Sequence, residues 1–245
     1  RLMALTARIR PHFFFNSLNG VLGVIRSDPR RAERALEELA DLFRALMQDN
    51  RERVPLRDEV ELCERYVDLE RLRLGDRLTV RWAFGGEGAA GGDAGSVAGG
   101  AVGELGPVSA TLRGAPGPEA ARAEARASLL EVRASLLEAR ASLLEARVPP
   151  LLLQPLLENA VYHGIEPSTE AGEVVVRVDR RGEVLRLEVD NPVCDAVRHH
   201  AGNRMALDNI RERLMLFYDL EAGLEIDEGG GRYRVRIRLP YRTSD

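Results

Sequence analysis

Val174, Val176 and Val178 alternate with polar residues, and beyond Gly182 the same alternation resumes at Leu185, Leu187 and Val189. Successive side chains of an extended strand point to opposite faces, so each run presents one apolar face to a core. With a glycine at the bend, the two runs predict an antiparallel hairpin over 173–180 and 183–191. Tyr233, Val235, Ile237 and Leu239 alternate with arginines in the same way, which predicts a strand over 232–240 reached from 223–228 through Gly229-Gly230-Gly231. Leu78-Thr79-Val80-Arg81-Trp82-Ala83-Phe84 reads as a further strand. Helical patterns stand between these runs, in the order strand, helix, hairpin, helix, hairpin. That order predicts an α+β sandwich, one mixed sheet with its helices on one face.

The stretch before the sheet is helical throughout. Phe14, Leu18, Val21 and Ile25 have the spacing of a buried stripe. On the same wheel His12 falls ~200° from Phe14, facing outward, with Asn16 and Asn19 on its side. Upstream, Leu2, Leu5 and Ile9 follow a line displaced at about Pro11, as a proline kink would produce. Ser27-Asp28-Pro29 is a turn and helix start. Ala32, Ala35, Leu36, Leu39, Leu42, Phe43, Leu46 and Met47 then recur at helical spacing. Two amphipathic helices with a short connection predict an antiparallel hairpin. Alone it buries one face of each helix, so a second copy completing a four-helix bundle, a homodimer, is expected. A third helix is expected between Pro55 and Leu74, with Val60, Cys63, Val67, Leu69 and Leu72 on its apolar side and Gly75-Asp76 after it.

From Gly85 to about Pro118 the sequence is dominated by Gly, Ala, Ser and Pro, too poor in apolar residues to offset the entropy of ordering, and disorder is expected. Arg126-Ala-Ser-Leu-Leu-Glu-Val then opens a seven-residue repeat whose two further copies, Arg-Ala-Ser-Leu-Leu-Glu-Ala, end before Arg147. Near-identity of copies is not something packing requires, so the reading is an expanded, partly helical surface loop without a catalytic role. The formal net charge is −4, and the positive side chains are all arginine. There is no basic footprint for nucleic acid, and any phosphate contact must come from arginine, backbone or metal. Cys63 and Cys194 lie far apart without metal-ligand spacing, which suits a reducing compartment. No apolar run approaches the ~18 residues of a membrane span.

Two stretches carry chemistry. Pro11-His12-Phe13-Phe14-Phe15-Asn16-Ser17-Leu18-Asn19 resembles the phosphoacceptor box, PHFLFNxLN, of the LytS-type sensor histidine kinases. Pro149-Pro150-Leu151-Leu152-Leu153-Gln154-Pro155-Leu156-Leu157-Glu158-Asn159-Ala160-Val161-Tyr162-His163-Gly164 resembles that family's N box, LLQPLLENAxxHG. The N box and the glycine-poor segment after Asp190 are closest to the AlgZ/FimS branch.

The resemblance implies a helical dimerisation and phosphotransfer region at 1–75 and a GHKL (Bergerat) ATP-binding sandwich at 76–245, carrying the insertion at about 85–147. It implies a kinase that uses ATP and Mg²⁺. His12 would accept the γ-phosphoryl group and pass it to an aspartate of a response regulator, one with a LytTR-type DNA-binding output. Asn16, one turn on, would orient the imidazole or, in the reverse reaction, a water. Leu152, Leu156 and Leu157 would form the apolar face of the N-box helix, with Asn159 off that face. Asn159 would hold Mg²⁺, which accepts one amide oxygen alongside phosphate oxygens, and Glu158 would order a metal-bound water. His163 completes the N-box set of nucleotide-binding residues, and Asp190 would accept a hydrogen bond from the adenine amino group. Gly202, Asn203, Met205, Leu207 and Asn209 would flank the phosphates, behind a lid over 191–201. The family also implies an upstream membrane sensor, which would make this chain the cytoplasmic portion of a bacterial inner-membrane protein.

The sequence departs from the pattern at several places. Phe13 stands where many histidine kinases place an acid, and Tyr162 where the family commonly has lysine. Asp190 continues as Asn191-Pro192-Val193-Cys194 in place of DNGxG. The following glycine motif is reduced to Gly202, with Asn203 as the residue best able to adopt a left-handed conformation and the helix behind it offering amides to an anion. Two rival readings follow. One is a degenerate kinase that docks or dephosphorylates its regulator. The other is an ATP-hydrolysing clamp, disfavoured because Pro155 stands where its basic glutamate would be.

Overall fold

The computed structural model describes residues 11–47, 52–85, 118–193 and 200–244, leaving aside the side chains at 11, 12, 118–129, 132 and 200–204. The kink expected at Pro11, the disorder expected over 86–117 and the lid residues 194–199 fall outside the described residues. The described helices and strands run in chain order: α1 (Pro11–Val24), α2 (Pro29–Met47), β1 (Val54–Pro55), α3 (Leu56–Leu74), β2 (Leu78–Phe84), α4 (Pro118–Leu144), β3 (Arg147–Val148), α5 (Gln154–Ala160), β4 (Gly172–Arg181), β5 (Val184–Pro192), α6 (His200–Tyr218), β6 (Gly223–Gly229) and β7 (Arg232–Pro240).

Five strands form one mixed sheet in the order β2-β4-β5-β7-β6. β2 runs parallel to β4, and the other neighbours are antiparallel. The α+β class expected from the alternation is the class observed. Gly182 turns β4 into β5 at φ 58°, a conformation that a side chain disfavours. The register aligns Trp82 with Val176, Val176 with Val189, and Val189 with Val235. One face of the sheet is therefore a continuous layer of Val, Leu and Ile, and α3, α5, α6 and the end of α4 pack on that side. The opposite face carries Arg81, Arg177, Arg234, Arg236 and Arg238 against Glu173, Glu188, Asp190, Asp227 and Glu225.

The stripe on α1 is rotated from its expected position. Phe13, Ser17, Gly20 and Val21 are the buried residues, whereas Phe14 and Ile25 are exposed. The cause is the partner helix: α1 lies against α3, and at Gly20 an added Cβ would already touch the Leu72 side chain. Small residues at 17 and 20 let the two backbones approach, so the seam follows them rather than the largest apolar residues. Phe14 instead sets its ring edge-on to Phe43 of α2, centroids 5.1 Å apart. Phe15 and Leu22 on α1 and Leu36 and Met47 on α2 stay exposed in the single chain.

The repeats form one helix, α4. Leu130, Leu136 and Leu137 of the earlier copies are more than half exposed, while Leu143 of the last copy is buried. A fully buried leucine contributes ~1.5–3 kcal/mol relative to an exposed one, so among the described leucines of the repeat Leu143 contributes most to the core. No helix among the described residues is long and apolar enough to cross a membrane.

Candidate functional site

A pocket lies where three helical segments meet. α1 contributes Phe13 and Asn16, α3 contributes Tyr66, Glu70 and Arg73, and α5 with the turn after it contributes Glu158, Val161, Tyr162 and Glu166. The two motif stretches, far apart in sequence, thus face each other in one chain. Phe13 fixes the first contact, its ring 5.0 Å from that of Tyr66. His12 precedes Asn16 by one turn of α1, and its side chain lies outside those described. Glu70 and Glu166 both bind Arg73, at 2.6 and 3.0 Å, and close the far wall.

α5 is a short helix in which every residue but Pro155 is buried. Leu156, Leu157, Glu158, Asn159 and Ala160 are all buried, and Gln154 Nε2 donates to Glu158 Oε1 at 2.6 Å. Asn159 is itself buried, and Leu152, expected on the helix face, lies ahead of the helix, in the loop that enters it. The helix widens into a single π turn, Val161–Ile165, a distortion frequent at functional sites. Tyr162 is exposed and meets the His163 ring edge-on at 4.8 Å. At Gly164 an added Cβ would lie 2.7 Å from Asn191 Nδ2 and from the Pro192 carbonyl oxygen. Only glycine allows the turn to seat against the end of β5.

That contact separates Asp190 from its expected role. Counting by twos from Leu185, Leu187 and Val189 arrives at Asn191, on the helix-facing side of the sheet. Asp190 belongs to the other side. There Oδ1 accepts from Arg232 Nε at 2.9 Å and Oδ2 from Arg177 Nη1 at 3.3 Å, with Arg234 at 3.8 Å. Burial raises the carboxyl's pKa, but Arg232, Arg177 and Arg234 outweigh it and hold the group below the usual carboxylate range. Asp190 is thus not brought together with Asn159. Asn191, 4% exposed, donates Nδ2 to the Pro192 carbonyl at 2.8 Å, which turns its Oδ1 the other way as an acceptor. The period of two along β5 thus puts Asn191, and not Asp190, on the side of the sheet that the helices cover.

α6 begins at His200, so Gly202 and Asn203 are helical rather than a loop before the helix. Leu207 is buried, while Met205 and Asn209 point outward. Among the described residues no cluster of three or more His, Cys, Asp or Glu side chains is spaced to hold a metal ion unaided. A hard cation that takes one or two protein oxygens and completes its shell with phosphates is compatible with the amide of Asn159 beside the carboxylate of Glu158.

The sequence reading missed Glu59, Tyr66, Glu70 and Arg73. The signal was available: Leu56, Glu59, Val60, Cys63, Tyr66, Val67, Glu70 and Leu74 form the buried side of α3, and two acids interrupt its apolar spacing. Glu59 is 2% exposed and accepts the backbone N–H groups of Leu151, Leu152 and Leu153 at 2.6, 2.7 and 2.9 Å.

Comparison with known proteins agrees with the two motifs. Residues 1–78 match the model of the histidine kinase family. The chain is 26% identical over 244 residues to the sensor histidine kinase BtsS of Escherichia coli, covering 97% of this chain and 33% of BtsS. It is 24% identical over 255 residues to the sensor protein LytS of Staphylococcus saprophyticus, covering 99% of this chain and 34% of LytS. It thus spans about a third of these curated relatives. Among solved structures, the Acinetobacter baumannii histidine kinase AdeS aligns with 91% of this chain and 93% of its own at 11% identity and a TM-score of 0.40, too distant a likeness to carry an inference.

Proposed function

We propose, from this similarity to LytS-type sensor histidine kinases, that the chain is the ATP-dependent phosphotransfer part of a two-component sensor. The observation that supports it most is the pocket itself, where Asn16 of the phosphoacceptor-like box and Glu158 of the N-box-like helix line one space. His12 is the acceptor: a ring nitrogen bonds to the γ-phosphorus of ATP as the bond to the β,γ-bridging oxygen breaks, and ADP leaves with that electron pair. Imidazole is largely neutral near pH 7, so the lone pair is available. Asn16 orients the ring. Asn159, with Glu158 beside it, would hold Mg²⁺, which supplies neutralisation of phosphate charge, the main contribution in such transfers together with positioning. Asn191 Oδ1 is the acceptor for the adenine amino group, in place of Asp190. The exposed apolar flank of α1 and α2 is the face for a second copy, and the phosphoryl group passes on to a response-regulator aspartate. The relatives' function as sensors supports an attachment to a membrane sensor outside this chain.

A second reading, a regulator-docking or phosphatase module, is favoured by one observation: Gly202 and Asn203 lie in a helix, where they build no glycine-type phosphate loop. Incubation with γ-labelled ATP separates the readings. Acid-labile label on the wild type and none on His12→Gln is the expected result. Nucleotide binding without label supports the docking module, and free phosphate without label a hydrolytic clamp.

A further inference from the structure

Glu59 lies outside both motifs, yet it is buried and accepts three backbone N–H groups. Its carboxylate gathers three successive N–H groups, those of Leu151, Leu152 and Leu153. These residues enter α5, where amide donors have no partner within the helix and need one from elsewhere. The loop is held from a second direction as well. Arg213 of α6 donates to the carbonyls of Pro150 and Leu151, at 3.0 Å for Leu151. Leu151 itself is in the left-handed region, φ 55°, which a branched side chain adopts only when its surroundings impose it. Pro149 and Pro150 just before it restrict the chain further.

The same face of α3 continues along the rest of the N box. Cys63, one turn beyond Glu59, is fully buried, and its thiol is pushed up first by burial and then by the charges of Glu59, Glu158 and Glu64. Tyr66 touches Phe13 of α1, and Glu70 reaches Glu166 through Arg73. Positions 59, 63, 66 and 70 span about 16 Å of one helix face, and that face runs beside 151–166.

Resting on the proposed nucleotide site, we propose that Glu59 is a positioning residue. It fixes the entry to α5 from α3, so that a shift of α3 is handed to Glu158 and Asn159 as a shift of the nucleotide cradle. Cys63 and Tyr66 keep the two segments in register behind it. A carboxylate suits this role because both its oxygens accept: Oε1 takes Leu151, and Oε2 takes Leu152 and Leu153. Glutamine retains one accepting oxygen and turns an amide donor toward N–H groups. Aspartate is one methylene shorter and cannot span the same three donors.

The test uses the whole chain with Glu59→Gln, Glu59→Asp and Glu59→Ala, and Glu61→Gln as an exposed control. Amide hydrogen exchange without nucleotide and affinity for Mg·ATP are both measured. The expected result is exchange at Leu152 and Leu153 faster by about tenfold or more in all three variants, with amides of β4 and β5 unchanged. Mg·ATP affinity falls in the same order as protection is lost, and Glu61→Gln matches the wild type. Unchanged exchange at 152 and 153 overturns the proposal. So does a loss of protection spread evenly over the sheet, which marks a merely structural residue. If the wild type binds no Mg·ATP, the proposed function fails, and the local exchange still decides whether Glu59 positions α5. If Glu59→Ala does not fold, the isosteric Glu59→Gln carries the comparison.

Discussion

Asp190 and Asn191 are adjacent, equally buried, and turned to opposite sides of one sheet, and their expected behaviours differ accordingly. Asp190 is a buried, ion-paired carboxylate whose pKa is depressed by its arginines. Its contribution to stability is complete above the ordinary aspartate value of ~3.9 and is lost as pH falls through the lower folded value. Asp190→Asn is expected to cost about 1–2 kcal/mol at neutral pH, between the ranges for an exposed and a buried pair because its arginines are partly exposed. The difference from the wild type should close below about pH 4 in acid denaturation. Nucleotide affinity should be little changed. Asn191→Ala should do the reverse, weakening ATP about tenfold, ~1.4 kcal/mol, by titration calorimetry. An Asp190→Asn variant that loses ATP while Asn191→Ala keeps it would return the adenine contact to Asp190.

At the scale of elements, strands were easy to read and helix faces were not. A period of two leaves no choice of face once one apolar position is known, and β2, β4, β5 and β7 fall within a residue or two of their expected bounds. A helix offers a broad arc, and which part is buried depends on the neighbour. On α1 the neighbour selects Ser17 and Gly20 for closeness over Phe14 for size. Glu59 was hidden for a related reason: an acid on an apolar stripe becomes intelligible only when the donors it meets, ninety residues on, are brought beside it. The repeat helix makes the opposite point, since its leucines resemble a core pattern and are mostly exposed. Deleting residues 126–139, two whole copies, should leave the melting temperature within about 2 °C of the wild type. At ~100° per residue the fourteen residues turn the remaining copy by only about 40°. Replacing Leu143 by alanine should instead cost about 2–5 kcal/mol.

In the whole molecule, the α+β layering and the two chemical stretches were legible from residue order alone, because strand alternation and motif identity are local. Their meeting was not. Nothing local says that Asn16 comes to face Glu158, or that α3 forms the wall between them, since those contacts depend on how three helices pack over one sheet. The short β1–β3 ladder gains its significance at this scale. It pairs Val54 with Val148, directly between the repeat helix and the loop that Glu59 holds. Arg147 bonds to the Arg242 carbonyl, and the Tyr218 hydroxyl bonds to Arg147. The mostly exposed repeat helix thus ends at a bonded collar immediately before the loop that Glu59 and Arg213 hold. A collar so placed is expected to shield the loop beyond it from a change of whole heptads in the helix before it.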